Sequence, residues 1–361
     1  LIIALLSIKC SSNKNANPNN KIATQILNFP KSGEDTLKVS YFADTVIYVP
    51  LETTPESFMD NIKQLWINDS IIIVNCRNAG LLMFQLDGKF VRKIGKRGRG
   101  PGEYQIILNF EVIRDTIYVS SVSRRSFLRY KLDGTFCDEI KLNYQPVYFS
   151  TTSDQKLACY EQHKGKVLVY NKNFHTPDTV IVEYGVTKGR YLFATSDPTM
   201  TYLQKTPSGL LFYDYMNDTI WNITSDKKDP AYIINLEDKL PRDKQLEFCN
   251  GDLNGWANMV RSYQFVHLIP FSSCMYVIQR HHRGSTYDAT YLKNTKTGEI
   301  KRFNTAGIYD DIVSKQNLFV AFYTYSADYL VALGDGPTTT NIKNDHSPLW
   351  LTQIKKVKEN N

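Results

Sequence analysis

One phrase occurs twice in this chain, and a repeated turn-bearing phrase restricts the fold more than any bulk property does. Phe84-Gln85-Leu86-Asp87-Gly88-Lys89-Phe90 aligns with Tyr130-Lys131-Leu132-Asp133-Gly134-Thr135-Phe136, sharing Leu-Asp-Gly and the flanking aromatics. Asp-Gly between apolar runs is a strong hairpin signal, because a two-residue turn asks for positive φ at both central positions. Around the first copy lie the short runs Ile71-Ile72-Ile73-Val74, Leu81-Leu82-Met83-Phe84 and Phe90-Val91-Arg92-Lys93-Ile94. The second copy leads into an apolar strand through Ile140 and Leu142. Such self-similarity means repeated units, each too small to bury its own apolar face alone.

Weaker echoes continue downstream. Val169-Tyr170-Asn171 precedes a turn at Lys172-Asn173, and Thr219-Ile220-Trp221-Asn222-Ile223 precedes Ser225-Asp226. Thr290-Tyr291-Leu292 precedes Thr297-Gly298, and Leu349-Trp350-Leu351 lies near the end. The aromatic landmarks Phe84, Tyr130, Tyr170, Trp221, Tyr291 and Trp350 are, by their numbers, 46, 40, 51, 70 and 59 residues apart. A four-stranded propeller blade takes about 40 to 50 residues. The expectation is an all-β chain: a six-bladed β-propeller of four-stranded antiparallel blades, with insertions in the later ones. Leu240-Pro241 and the helix formers up to Arg261 predict a short helical insert in the widest gap. A strand at Thr45–Leu51 has no partners of its own, and is expected to close the ring as the outer strand of the last blade. The 23 Tyr and 18 Phe agree with a strand-rich chain. No apolar stripe of period 3.6 and no strand–helix alternation competes with this reading. Roughly 24 strands are too many for one β-sandwich.

The first eight residues are nearly all apolar and lead to Cys10. They are too few to span a bilayer, which takes about 20, and suit the end of a signal-peptide apolar region. Leu6-Ser7-Ile8-Lys9-Cys10 resembles a bacterial lipoprotein box, with Cys10 as the lipidated residue and Lys9 where such boxes carry a small one. Polar residues 11–21 read as a tether. The expected organisation is a signal segment and tether over 1–36, then one propeller over 37–361. Cys76, Cys137, Cys159, Cys249 and Cys274 show no metal-site spacing and read mostly as buried small hydrophobes.

Following Leu86-Asp87-Gly88-Lys89-Phe90, the stretch Ile94-Gly95-Lys96-Arg97-Gly98-Arg99-Gly100-Pro101-Gly102-Glu103-Tyr104 resembles the first-blade signature of six-bladed β-propeller lipoproteins of Gram-negative gut bacteria. Those proteins are similar to NHL-repeat propellers. The likeness runs from about Leu37 to Lys358 and includes Tyr309-Asp310-Asp311-Ile312. It implies a monomeric propeller at the periplasmic or cell-surface side of the outer membrane, held by a lipid anchor, and it implies no particular reaction.

The glycine-rich stretch is not a phosphate loop: Gly95 and Gly100 have the spacing, but Pro101 stands where the lysine belongs. Glu103 occupies the third glycine position of a dinucleotide fingerprint. No nucleophile elbow, zinc-protease pair or calcium loop is present in the sequence. Neither a metal nor another cofactor is expected. His281-His282 are adjacent, so on a strand they would point to opposite faces. Asp310-Asp311 are adjacent carboxylates without a geometry for acid–base work.

One pattern remains. In a propeller, the loops joining strands two and three of each blade share a face with the loops between blades. Those loops carry Arg77, Arg124-Arg125, His163 and His281-His282-Arg283, and the between-blade loops add Arg97, Arg99 and Arg190. Asn217-Asp218 alone breaks the basic trend. The expectation is an anion-binding face built from Arg77, Arg99, Arg124, Arg125, His163, Arg190, His281, His282 and Arg283, since Arg grips carboxylate, sulfate or phosphate bidentately. Net charge is +7, with 43 Lys and Arg against 36 Asp and Glu, too dispersed to imply nucleic acid. The function expected is a non-enzymatic binding or scaffold module for a glycan, an anionic small molecule or a protein partner. The alternative is a propeller lyase or hydrolase acting on an anionic sugar or cyclic ester.

Overall fold

The computed structural model describes residues 2–8, 24–59, 62–121, 124–161, 166–170, 179–183, 203–206, 209–213, 218–236, 265–270, 275–282, 285–294, 297–305, 307–320, 324–325, 330–334 and 350–352. Within them, five antiparallel four-stranded blades follow one another along the chain. The first comprises Ile62–Ile67, Ile71–Cys76, Gly80–Gln85 and Phe90–Ile94, and the second Ile107–Ile113, Thr116–Ser121, Ser126–Lys131 and Phe136–Lys141. The third comprises Tyr148–Thr151, Leu157–Glu161, Lys166–Tyr170 and Thr179–Glu183. The fourth is Leu203–Thr206, Gly209–Tyr213, Thr219–Ile223 and Lys228–Asn235. The fifth is Phe265–Pro270, Met275–His282, Ser285–Asn294 and Ile300–Phe303. All five landmarks from Phe84 to Tyr291 fall on third strands.

The radial arrangement follows from strand alternation. Ile72, Val74, Leu82 and Phe84 enter one apolar cluster, whereas Ile73, Leu81 and Met83, on the opposite face of the same blade, enter another with Phe110, Ile117 and Tyr130 of the second blade. Phe127 packs with Phe149 between the second and third blades, at 4.6 Å between ring centroids. The middle strands are therefore buried on both faces and read as unbroken apolar runs. The outer Phe90–Ile94 leaves Arg92 and Lys93 in solvent.

The expected six four-stranded blades are corrected to five among the described residues. The remaining strands form a seven-stranded sheet in the order Leu37–Lys38, Ile308–Tyr309, Asn317–Val320, Leu330–Gly334, Ile2–Ile8, Ala43–Pro50 and Trp350–Thr352. The N-terminal strand does meet the C-terminal strands, but as Ala43–Pro50, which pairs with both Ile2–Ile8 and Trp350–Thr352. The apolar stretch expected to act as a leader is thus seated in this sheet through Ile2–Ile8. Ahead of the expected boundary at 37, Gln25–Asn28 pairs in parallel with Lys228–Asn235 and buries Leu27. The helical insert at 240–261, the tether and Cys10 lie outside the described residues.

The ring is latched by the adjacent carboxylates. Asp310, fully buried, accepts the N–H groups of Ile312 (3.0 Å) and Val313 (2.9 Å) on Oδ1. Its Oδ2 accepts Ser314 N–H (2.7 Å) and the Tyr48 hydroxyl. Burial alone would raise the Asp310 pKa, but the Tyr48 hydroxyl and the turn N–H groups outweigh it and hold the carboxyl below its usual range. Asp311 accepts Ser40 N–H (3.0 Å) and hydroxyl (2.5 Å). Both carboxylates therefore join chain segments more than 250 residues apart.

The Asp-Gly hairpins form, with a different turn. Only Gly88 (φ 90°) and Gly134 (φ 87°) take positive φ, while Asp87 and Asp133 accept the N–H of Lys89 (3.0 Å) and Thr135 (2.8 Å). A three-residue loop with glycine at its left-handed position replaces the two-residue turn. The two-residue turn with positive φ at both positions is instead Arg114-Asp115 (φ 47° and 62°), which contains no glycine to announce it.

Candidate binding face

Antiparallel connectivity puts the loops between second and third strands on one face together with the loops between blades. The loop joining the first two blades is built from its own glycines and acid. Gly98 N–H donates to Tyr104 O (2.9 Å), and Glu103 N–H donates to Gly100 O (3.1 Å). Gly100 N–H donates to Glu103 Oε2 (2.8 Å), and Lys96 sits 3.0 Å from the other Glu103 oxygen. The Gly100 N–H first, then Lys96, hold the Glu103 carboxyl below its ordinary range.

Buried tyrosines fasten this loop from beneath. Tyr104 donates its hydroxyl to Ile94 O (2.7 Å) and accepts Leu81 N–H (3.2 Å), which ties the loop to the turn bearing Arg77. Burial pushes the Tyr104 hydroxyl up to about 12. Tyr130 donates to Gly102 O (2.9 Å). Gly102 has φ 67°, and a Cβ there would stand 2.7 Å from the Phe136 ring, so the motif needs glycine for both conformation and space.

Arg124 connects the third loop. Its guanidinium donates to Arg99 O (3.0 Å) and Gly100 O (2.9 Å) and pairs with Glu139 at 3.2 Å. Ser126 also donates to Glu139, at 2.6 Å. Arg124 lies on the expected face, as a strut between loops. Arg77, Arg97, Arg99 and Arg125 are exposed, and among the described residues no hydrogen bond or ion pair engages their guanidinium groups. This stretch of face carries Arg77, Lys96, Arg97, Arg99, Arg124, Arg125 and Lys141 against two acids, Glu103 and Glu139, both engaged. The opposite face of the first three blades carries Asp69, Asp87, Asp115, Asp133 and Asp154 in its turns.

The other expected residues divide. His163, Arg190 and Arg283 lie outside the described residues. His281 and His282 are corrected from loop to strand: they end Met275–His282, with His281 opposite Phe265 and His282 opposite Ser285. Strand pairing runs further than the loop assignment allowed.

Two features of the axis were missed. The first strands of the first two blades each carry a register shift, between Ile62 and Gln64 and between Ile107 and Asn109. Such bulges re-aim the residue that follows. Gln64 donates to Phe110 O (2.7 Å) and accepts Phe110 N–H (3.0 Å), while Asn109 donates to Phe149 O (3.2 Å). Each amide thus satisfies backbone groups on the inner edge of the next blade. The second feature is Glu111 of the second blade facing Lys205 of the fourth, at 3.6 Å. Burial pushes the Glu111 carboxyl up to about 7 against the pull of Lys205. A single charged residue inside Ile107-Leu108-Asn109-Phe110-Glu111-Val112-Ile113 was its readable signal.

Blades that pack face to face around inner strands define a propeller-like, all-β protein. Residues 24–361 match the family described as Domain of unknown function (DUF4934), and the chain belongs to that family. A protein of Bacteroides fragilis inferred to be exported (BF0058) has a similar solved structure, with TM-score 0.67, 18% identity, and coverage of 86% of this chain and 94% of that one. A DUF4221 member from Bacteroides vulgatus scores 0.46 at 8% identity, covering 86% and 98%. Virginiamycin B lyase of Staphylococcus aureus scores 0.42 at 11% identity, covering 75% and 76%. No curated protein matches the chain.

Proposed function

We propose that this chain is an exported, lipid-anchored, non-enzymatic propeller that binds an anionic ligand on the loop face of its first two blades. The observation that carries the ligand reading is the contrast on that face. Arg77, Arg97, Arg99 and Arg125 project into solvent while both nearby acids are engaged, and three loops are fixed to one another by Arg124, Tyr104 and Tyr130. Loops already held in place leave only the arginine side chains to order on binding, and several guanidinium groups on one rim suit sulfate or carboxylate groups of a glycan. Export is supported by the apolar run before Cys10, by its likeness to a lipoprotein box, and by the fold shared with BF0058, itself inferred to be exported. An anchor at Cys10 would hold the domain at the outer membrane, facing the periplasm or the cell surface.

Calorimetric titration with sulfated, carboxylated and neutral oligosaccharides tests the ligand reading. Binding is expected for charged oligosaccharides alone, weakening from 50 to 300 mM salt, because exposed charges are screened over about 8 Å at physiological ionic strength. Equal affinity for the neutral oligosaccharides would count against it.

A further inference from the structure

We propose that the slot between Leu330–Gly334 and Ala43–Pro50 is a strand-acceptor site with two alternative occupants in this chain, and that Trp350–Thr352 takes it when Ile2–Ile8 leaves. Ile2–Ile8 is seated there, with Ile2 opposite both Gly334 and Pro50, and Ala4 opposite both Ala332 and Tyr48. Trp350–Thr352 pairs with the same residues of Ala43–Pro50 in the same antiparallel register, Trp350 opposite Pro50 and Thr352 opposite Tyr48. It also lies close to both Ile2–Ile8 and Leu330–Gly334. Two segments thus converge on one place and one register.

The repeat decides which occupant the fold is built for. In all five blades the landmark aromatic is on the third strand, and chain order runs from the first strand to the fourth. After Asn317–Val320 and Leu330–Gly334, the next described strand in the chain is Trp350–Thr352, with Trp350 as landmark. Seated in the slot, it would face Leu330–Gly334 on one side and Ala43–Pro50 on the other. The order would then be the one found in the other blades, with the N-terminal strand outermost. Ile2–Ile8 substitutes for it, as a donor strand does when an edge offers unpaired backbone groups. Cleavage before Cys10 would remove Ile2–Ile8 and trigger the exchange. Only this trigger rests on the export reading, and the basic face plays no part in it.

The test uses the full chain and hydrogen–deuterium exchange of residues 350–352. Ala4→Cys with Ala332→Cys locks Ile2–Ile8 into the slot by a disulfide between facing strand residues, confirmed by mass mapping. Leu5→Pro removes a strand N–H and disfavours the same segment. Exchange at 350–352 is expected to be faster in the oxidised, locked chain than in the Leu5→Pro chain, by on the order of tenfold or more. Reduction of the lock should return it to the parent rate. Equal rates in the oxidised and reduced forms would overturn the proposal, as would exchange at 350–352 in the Leu5→Pro chain no slower than in the oxidised chain.

Discussion

Replacing Asp310 with Asn tests the latch that joins the two ends of the chain. The native carboxylate accepts four hydrogen bonds at full burial. An Asn keeps Oδ1 for Ile312 and Val313, but its amide nitrogen meets the N–H of Ser314, which is left without an acceptor. The Tyr48 hydroxyl escapes this conflict, because it also bonds the Ser314 hydroxyl. One orphaned buried donor costs about 1–3 kcal/mol, and the charge assistance lost by the other bonds brings the sum to about 3 kcal/mol. In a domain of this size that lowers the midpoint by about 5 °C. The Asp310 carboxyl is held below its usual range when folded, so its stabilisation is fully present above the unfolded value and is lost as pH falls through the folded one. The gap between wild type and variant should therefore narrow in the acid range below about pH 4. Thermal melts at pH 7 and pH 3 measure both effects, with Asp311→Asn as the control. Asp311 is the less buried of the two, and among the described residues its carboxylate takes its hydrogen bonds from Ser40, so its replacement should cost under about 1 kcal/mol. A midpoint for Asp310→Asn within 1 °C of wild type at pH 7, or an equal loss in the control, would refute the latch.

Three further outcomes follow from the structure. Glu111 has a raised folded pKa of about 7, so its contribution is present below the unfolded carboxyl value and is lost as pH rises through 7; chemical denaturation from pH 5 to 8 should show a falling stability that Glu111→Gln flattens. Asp115→Gly relieves a non-glycine residue held at φ 62° and should raise stability by up to about 1 kcal/mol in urea unfolding; a loss would contradict the turn. Arg124→Ala should cost about 1–3 kcal/mol, since it removes the ion pair of Glu139 and the donor to two loop carbonyls. Arg125→Ala should stay within about 0.5 kcal/mol, and equal melting losses for the two would contradict the strut.

The sequence made some elements legible because their signals are local. The Leu-Asp-Gly copies sit at equivalent hairpins, and the aromatic landmarks fall on third strands, since a strand buried on both faces must be apolar throughout. The count of blades was misjudged because nothing local shows that Ile2–Ile8 pairs with both Leu330–Gly334 and Ala43–Pro50. The latch role of Asp310-Asp311 was not legible because their partners, Tyr48 and Ser40, are remote in sequence. The amide clamps of Gln64 and Asn109 were missed because a bulge shifts the alternation by one residue. On the basic face, Arg77, Arg99 and Arg125 were placed by loop position alone, whereas the strut role of Arg124 depends on Glu139 and on carbonyls of a different loop.

In the proposed function, the exposed guanidinium groups of the first two blades form the binding face. The most direct measurement is the affinity of the Arg77→Ala, Arg99→Ala, Arg125→Ala triple variant for a sulfated oligosaccharide, taken beside its melting temperature. Affinity should fall at least tenfold, about 1.4 kcal/mol, with a melting midpoint unchanged from wild type. Undiminished affinity in a variant that melts normally would contradict it.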